Sequence, residues 1–312
     1  MIAQAQGDSP LGSAWAVRRM LAMELNLPWP ENFFAARAVP EGMGDALDAL
    51  WADQPDTGIL AFAPDPVHAV PGMSRIIEFR YPVPPHAAAE RSEYLVPTGL
   101  VGEVFPRLFV NDPSALQVAG VETVAFAGRD LFVCTHGTVD ACCARFGFPL
   151  YRELHRIAAE VGDNVRVWRS THFGGHRFAA TLIDFPEGRF WGFMTPDLGR
   201  KLVAREGDAA DLRGAYRGWA GHASVPVQHL EGEILMREGW AWTTWPHQAE
   251  ILNASRPGDV SVRITAFPPD SAAVVYEGVV AEAGALPVLH ATDGELENEM
   301  QYEVRDLRRL PG

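Results

Sequence analysis

All three cysteines of this chain, Cys134, Cys142 and Cys143, fall within ten residues, and an adjacent pair is a poor start for a disulfide framework. The fold therefore rests on its hydrophobic core. With 312 residues at 47% hydrophobic, the chain has more apolar material than one ordinary domain needs, and two or three compact units are expected. No run approaches the roughly eighteen consecutive apolar residues of a membrane span. The segment Met1 to Pro10 has neither the basic start nor the apolar middle of a secretory signal, so a cytoplasmic location is expected. A formal net charge of -14, with no cluster of Lys and Arg among aromatics, argues against nucleic acid and favours basic protein partners.

No internal sequence repeat or low-complexity segment is visible, and the chain divides by texture into three regions. Residues 1–118 read as an α/β unit, with helix-like stretches at Ala14 to Leu25 and Gly44 to Ala52 and strand-like runs at Gly58 to Ala63 and Arg75 to Tyr81. Residues 119–206 begin with β-prone runs at Val121 to Phe126 and Leu131 to Cys134. From Cys143 to Glu160, Phe146, Leu150, Leu154, Ile157 and Ala158 recur at helical spacing, with Gly162 as a stop. Val165 to Trp168 reads as a strand, and Phe178 to Ile183 and Arg189 to Met194 flank the turn Phe-Pro-Glu-Gly. Thr195-Pro196-Asp197 starts a helix over Leu198 to Arg205. Strand, helix, strand, hairpin, helix is the order of a thioredoxin-like domain.

Residues 207–312 predict helices around Ala209 to Trp219 and Val227 to Arg237, then a small antiparallel sheet from Val260 to Ala266, Ala273 to Val280 and Gln301 to Asp306. The predicted class is thus α/β, a thioredoxin-like domain flanked by an N-terminal α/β region and a C-terminal α+β region. Trp219, Trp240, Trp242 and Trp245 are read as packing rather than as a partner surface.

The chemistry sits in two strings, Cys134-Thr-His-Gly-Thr-Val-Asp-Ala-Cys-Cys143 and His172-Phe-Gly-Gly-His176, which end loops on either side of one helix and one strand. Thiolate and imidazole suit zinc and iron–sulfur centres, whereas magnesium or calcium needs oxygen ligands that this region lacks. Gly174 and Gly175 let the backbone approach an inorganic sulfide and allow left-handed conformations that turn amide N–H groups toward it, which favours a cluster over a single ion.

These strings resemble the sucrase/ferredoxin-like family, and the likeness extends into Tyr216-Arg-Gly-Trp-Ala-Gly221 and Met236-Arg-Glu-Gly-Trp240. The resemblance implies a thioredoxin-like ferredoxin domain whose 2Fe-2S cluster is held by Cys134, Cys143, His172 and His176. Cys142 is adjacent and chemically equivalent, so a shift of one residue would exchange it with Cys143. The function so implied is electron transfer with an unidentified redox partner protein. Two other readings of the same residues are a structural Cys2His2 zinc site and a thiol oxidoreductase using Cys142 and Cys143, although no Cys-x-x-Cys is present. Nucleotide-binding glycine loops and a Gly-x-Ser-x-Gly elbow are absent, and no carboxylate pair argues for glycoside hydrolysis.

Around the strings, Asp140 is expected to cap the helix that follows, and Arg177 to form a surface ion pair. His136 serves either as a loop residue or as a donor behind a ligand. Histidines 68, 86, 155, 222, 229, 247 and 290 show no ligand spacing.

Overall fold

In the computed structural model, which describes residues 2–162, 164–256, 258–292 and 294–311, two stretches of the chain trace the same path through one large sheet. After a short helix α1 (Ile2–Gln6), the first runs β1 (Arg19–Glu24), α2 (Met43–Trp51), β2 (Thr57–Phe62), β3 (Met73–Arg80), β4 (Glu90–Pro97), α3 (Val101–Phe109). A two-residue strand, β5 (Glu122–Thr123), leads to the second: β6 (Arg129–Cys134), α4 (Ala141–Val161), β7 (Val165–Ser170), β8 (Leu182–Phe185), β9 (Arg189–Trp191), α5 (Pro196–Ala204). In each, the first two strands pair in parallel, the third adds antiparallel to the first, and the fourth antiparallel to the third. The repeat is one of topology, not of sequence. With β10 (Tyr216–Trp219) at one edge, the order is β10-β9-β8-β6-β7-β2-β1-β3-β4-β5.

The two units meet where β2 and β7 share the single ladder pair Phe62 and Ser170. Ala63 N–H donates to the Arg169 carbonyl at 2.9 Å, and Thr171 N–H to the Ala61 carbonyl at 2.8 Å. The sheet folds over at this seam. β3 and β8 stand five strand spacings apart, about 24 Å in a flat sheet at about 4.8 Å per strand, yet Phe79 and Phe185 stack with centroids 4.1 Å apart.

Side-chain alternation explains the arrangement. In β1, Leu21 and Met23 pack with Leu47 of α2 and Phe105 of α3, while Met20 and Ala22 face the aromatic core between the units. In β6, Leu131 and Val133 pack with Leu150, Leu154 and Ile157 of α4, while Phe132 and Cys134 face that shared core. Both faces of these strands are buried, hence their continuous apolar runs. Cys134 is thereby delivered to the seam side of its strand.

The C-terminal part contains α6 (Val225–Glu238) and an antiparallel sheet in the order β11 (His247–Arg256), β12 (Asp259–Ala266), β13 (Val274–Leu289), β14 (Leu296–Pro311). Helix α6 contacts β10 on one side and β12, β13 and β14 on the other, so even its polar Gln228, His229 and Glu231 are inside. Glu231 accepts hydrogen bonds there from Arg189 at 2.8 Å, the Tyr216 hydroxyl at 2.7 Å and the Trp242 indole at 2.7 Å. Trp219 and Trp242 are fully buried, as packing residues should be.

Several expectations needed correction. The stretch Ala14 to Leu25, rich in helix formers, is a loop followed by β1, because parallel and antiparallel neighbours on its two sides satisfy a backbone whose side chains from Arg19 to Met23 are all buried. Ala209 to Trp219 is not one helix: a 3-10 turn over Ala209–Ala215 gives way to β10, which closes the sheet edge against β9. Phe178 to Ile183 begins with a 3-10 turn (His176–Phe178) before β8, and β11 was not anticipated. Among the described residues, no helix is long and apolar enough to cross a membrane.

Candidate metal centre

Cys134 ends β6, and Cys143 lies in the first turn of α4, which starts three residues before it at the cap residue Asp140. The helix sits so close to the strand end that a Cβ on Gly147 would overlap the Cys134 carbonyl oxygen. The glycine lets the two cysteines approach. His172 and His176 follow β7 on a loop whose Gly174 and Gly175 have φ of +83° and +76°, the left-handed conformation expected of them.

The structure brings three of the expected donors into one group. His172 Nδ1 lies 3.7 Å from Cys134 Sγ and 3.6 Å from Cys143 Sγ, and one donor atom from each residue lies within 4.8 Å of the others. His176 stands one ring further out, its Nδ1 3.3 Å from His172 Nε2 and the two rings 5.0 Å apart. Its Nε2 is buried without a hydrogen-bond partner among the described residues. Cys142 is directed elsewhere, with Sγ 3.5 Å from the Thr292 hydroxyl.

Burial opposes charge on Cys134, but hydrogen bonds from Cys143, His172 and the His136 backbone hold its thiol well below the ordinary value. Cys143, hydrogen-bonded to that sulfur and buried, is pushed up. The pair thus keeps one thiolate readily and resists a second charge, which a cation between the sulfurs would offset. Burial and the neighbouring His172 ring depress the His176 pKa, leaving the neutral imidazole that a metal needs.

The surroundings orient the donors. The His172 N–H donates to His136 Nδ1 at 3.3 Å while His136 Nε2 meets the Pro30 carbonyl at 2.8 Å, so His136 positions the ligand loop. Arg177, expected at the surface, is mostly covered and pairs with Asp8 at 2.9 Å. The tip of the β13–β14 hairpin reaches over: His290 Nδ1 lies 2.6 Å from Arg177, and the Thr292 N–H and hydroxyl donate to Asp140 at 2.9 and 2.8 Å. A cavity of about 260 Å³ lies beneath that tip, lined by Cys142, Arg145, Phe146, His176 and His290 among others. Gly147 and Thr292 were missed by the sequence reading, since a close backbone approach and a contact 150 residues away leave no local pattern.

Asp140 ties helix and hairpin together, and burial would raise its pKa, yet the donors from Thr292 and Cys142 lower it from 3.8 to about 2. A carboxyl depressed on folding stabilises fully above its unfolded pKa and loses that contribution as pH falls through the folded value. Asp140→Ala is therefore expected to cost about 1–2 kcal/mol at pH 7. In denaturant unfolding, its difference from wild type narrows below about pH 4; a gap unchanged down to pH 2 contradicts this.

A family model described as sucrase/ferredoxin-like matches residues 11–218, about two thirds of the chain. Altered inheritance of mitochondria protein 32 of Meyerozyma guilliermondii is 26% identical over 145 residues, which cover 42% of this chain and 50% of that protein. The match thus spans about half the length of that relative. No solved structure matches the chain.

Proposed function

This chain belongs to the sucrase/ferredoxin-like family, and on that premise we propose that it is an electron carrier or redox subunit whose 2Fe-2S cluster is held by Cys134, Cys143, His172 and His176 on a thioredoxin-like unit. The observation that carries the reading is the row of donors itself, with both sulfurs within 3.7 Å of His172 Nδ1, His176 Nδ1 3.3 Å from His172 Nε2, and a buried His176 nitrogen with no partner among the described residues. A bound cluster supplies reversible one-electron transfer.

The chain's own residues do the rest. Cys134 and Cys143 supply the thiolates, and Asp140 and Gly147 fix where they stand. His136 aims the histidine loop, and Gly174 and Gly175 keep side chains away from it. The net charge of -14 suits a partner with a basic docking face.

Two imidazoles in place of two thiolates make the centre less negative, so its potential is expected in the range of roughly -150 to +300 mV rather than near about -400 mV. It should fall as pH rises through the range where bound imidazoles titrate in the oxidised state. Anaerobic purification with iron and sulfide analysis, and paramagnetic resonance of the reduced sample, tests the reading. Equal iron and sulfide, with a Rieske-like average g value, is the expected result; a g value typical of all-thiolate clusters removes the histidines from the ligand set.

A single zinc ion is the second reading, favoured by one observation. Metal–sulfur and metal–nitrogen bonds of about 2.3 and 2.05 Å in a tetrahedron put sulfur and nitrogen about 3.6 Å apart, close to the 3.6 and 3.7 Å at His172. A colourless, redox-silent protein containing zinc would establish it. The thiol oxidoreductase reading is disfavoured because Cys142 and Cys143 point to different neighbours.

A further inference from the structure

Five arginines are buried among the described residues: Arg19, Arg75, Arg166, Arg189 and Arg217. The first four each contact a carboxylate, on Glu78, Glu93, Asp130 and Glu231 respectively. Arg217, 2% exposed, makes no such contact within 4 Å among the described residues. Its three hydrogen bonds go to neutral acceptors, the Ser13 hydroxyl at 3.1 Å, the Ser13 carbonyl at 2.7 Å and the Gly174 carbonyl at 3.0 Å. Burying an ion without an opposite charge is strongly disfavoured, so a guanidinium held in this way calls for a negative charge supplied from outside the usual acid residues.

Its location identifies that charge. The guanidinium lies flat against the ligand loop, where a Cβ on Gly175 would come within 2.5 Å of its central carbon. The Gly174 carbonyl that it holds lies two residues from each of the two histidines, His172 and His176. The rings of Phe178 and Phe190, 5.9 and 5.5 Å from the guanidinium carbon, leave this side of the loop apolar.

We propose that Arg217 is the counter-charge of the metal centre, a buried cation packed on the Gly174–Gly175 backbone that stabilises the more negative, reduced state. This rests on the cluster reading above. Reduction adds one electron, delivered by dithionite in a titration or by a one-electron donor protein in use, and the added charge sits in the field of a cation that no acid among the described residues neutralises. Arg217 acts through that field and its hold on the loop, which makes it a positioning residue and not a ligand.

Three variants test this in the full chain. Arg217→Met removes the charge and keeps the stem, and is expected to shift the reduction equilibrium toward the oxidised form by at least about tenfold, equivalent to about 59 mV for one electron. Arg217→Lys should retain most of the wild-type potential. Ser13→Asp leaves the arginine in place and gives it an acid partner, so it should lower the potential in the same direction while raising the melting temperature of the metal-free protein. This third variant carries the test even if Arg217→Met fails to fold. An iron-loaded Arg217→Met with wild-type potential overturns the role of Arg217 alone, as does Arg217→Lys falling as far as Met, or Ser13→Asp moving neither readout. Absence of iron from the wild type overturns the cluster reading instead.

Discussion

Alanine at Cys134 or Cys143 is expected to bring iron per chain down to background, while alanine at Cys142 leaves it near the wild-type level. The three residues are chemically alike and two are adjacent, so the contrast isolates geometry. Cys134 and Cys143 are both 1% exposed and both within 3.7 Å of His172 Nδ1. Cys142, one helical position away, points about 100° around α4 and meets Thr292 at the hairpin tip. Losing one small buried side chain at the end of a long helix or inside a ten-stranded sheet does not unfold such a core, so metal loss can be measured on folded protein. Iron retained in Cys143→Ala and lost in Cys142→Ala would assign the other register and refute the placement of α4.

A methyl group at Gly147, which touches no metal, should do nearly as much damage. Alanine is the better helix former by about 1 kcal/mol, and in an open helix Gly→Ala would stabilise. At this position the new Cβ falls on the Cys134 carbonyl oxygen and within 3.1 Å of its carbon. Neither atom can turn aside, because both belong to a strand paired on two sides by β7 and β8. Overpacking costs of about 1–3 kcal/mol outweigh the propensity gain, and the relief available is for α4 to move off the strand end, taking Cys143 with it. Reduced iron content together with a lowered melting temperature is expected of Gly147→Ala. Gly99→Ala, where a Cβ meets nothing within 4 Å, serves as the control that changes neither. A Gly147→Ala protein with full metal content and higher stability would show that helix and strand are not in contact.

These two predictions mark the boundary of what the sequence discloses. That Cys134, Cys143 and His172 come together was legible because donor chemistry is carried by residue type and short spacing, and α4, α5 and α6 because their apolar residues recur on one stripe or stop at clear signals. Met20 to Met23 misled because every side chain in the run is buried, which erases the period that separates strand from helix. Gly147 looks like any weak point in a helix. Arg217 stood in plain view in Tyr216-Arg-Gly-Trp, but its isolation from acids is a property of the packed state. The folding-over of the sheet at Phe62 and Ser170 depends on pairing across more than 100 residues, for which one chain's letters give no local cue.

That crease has a practical side. The histidine strand end is clamped from across it, since Ala61 N–H donates to the Thr171 hydroxyl at 3.0 Å next to His172, and Arg217 reaches the same turn from beyond residue 206. A fragment cut to residues 119–206 would strip the β2 contacts from the end of β7 and leave the imidazoles on an unsupported bend. Whoever wants the piece with the candidate ligands by itself will have to take its topological repeat along, and swapping it as a cassette between relatives should succeed only when both units travel together.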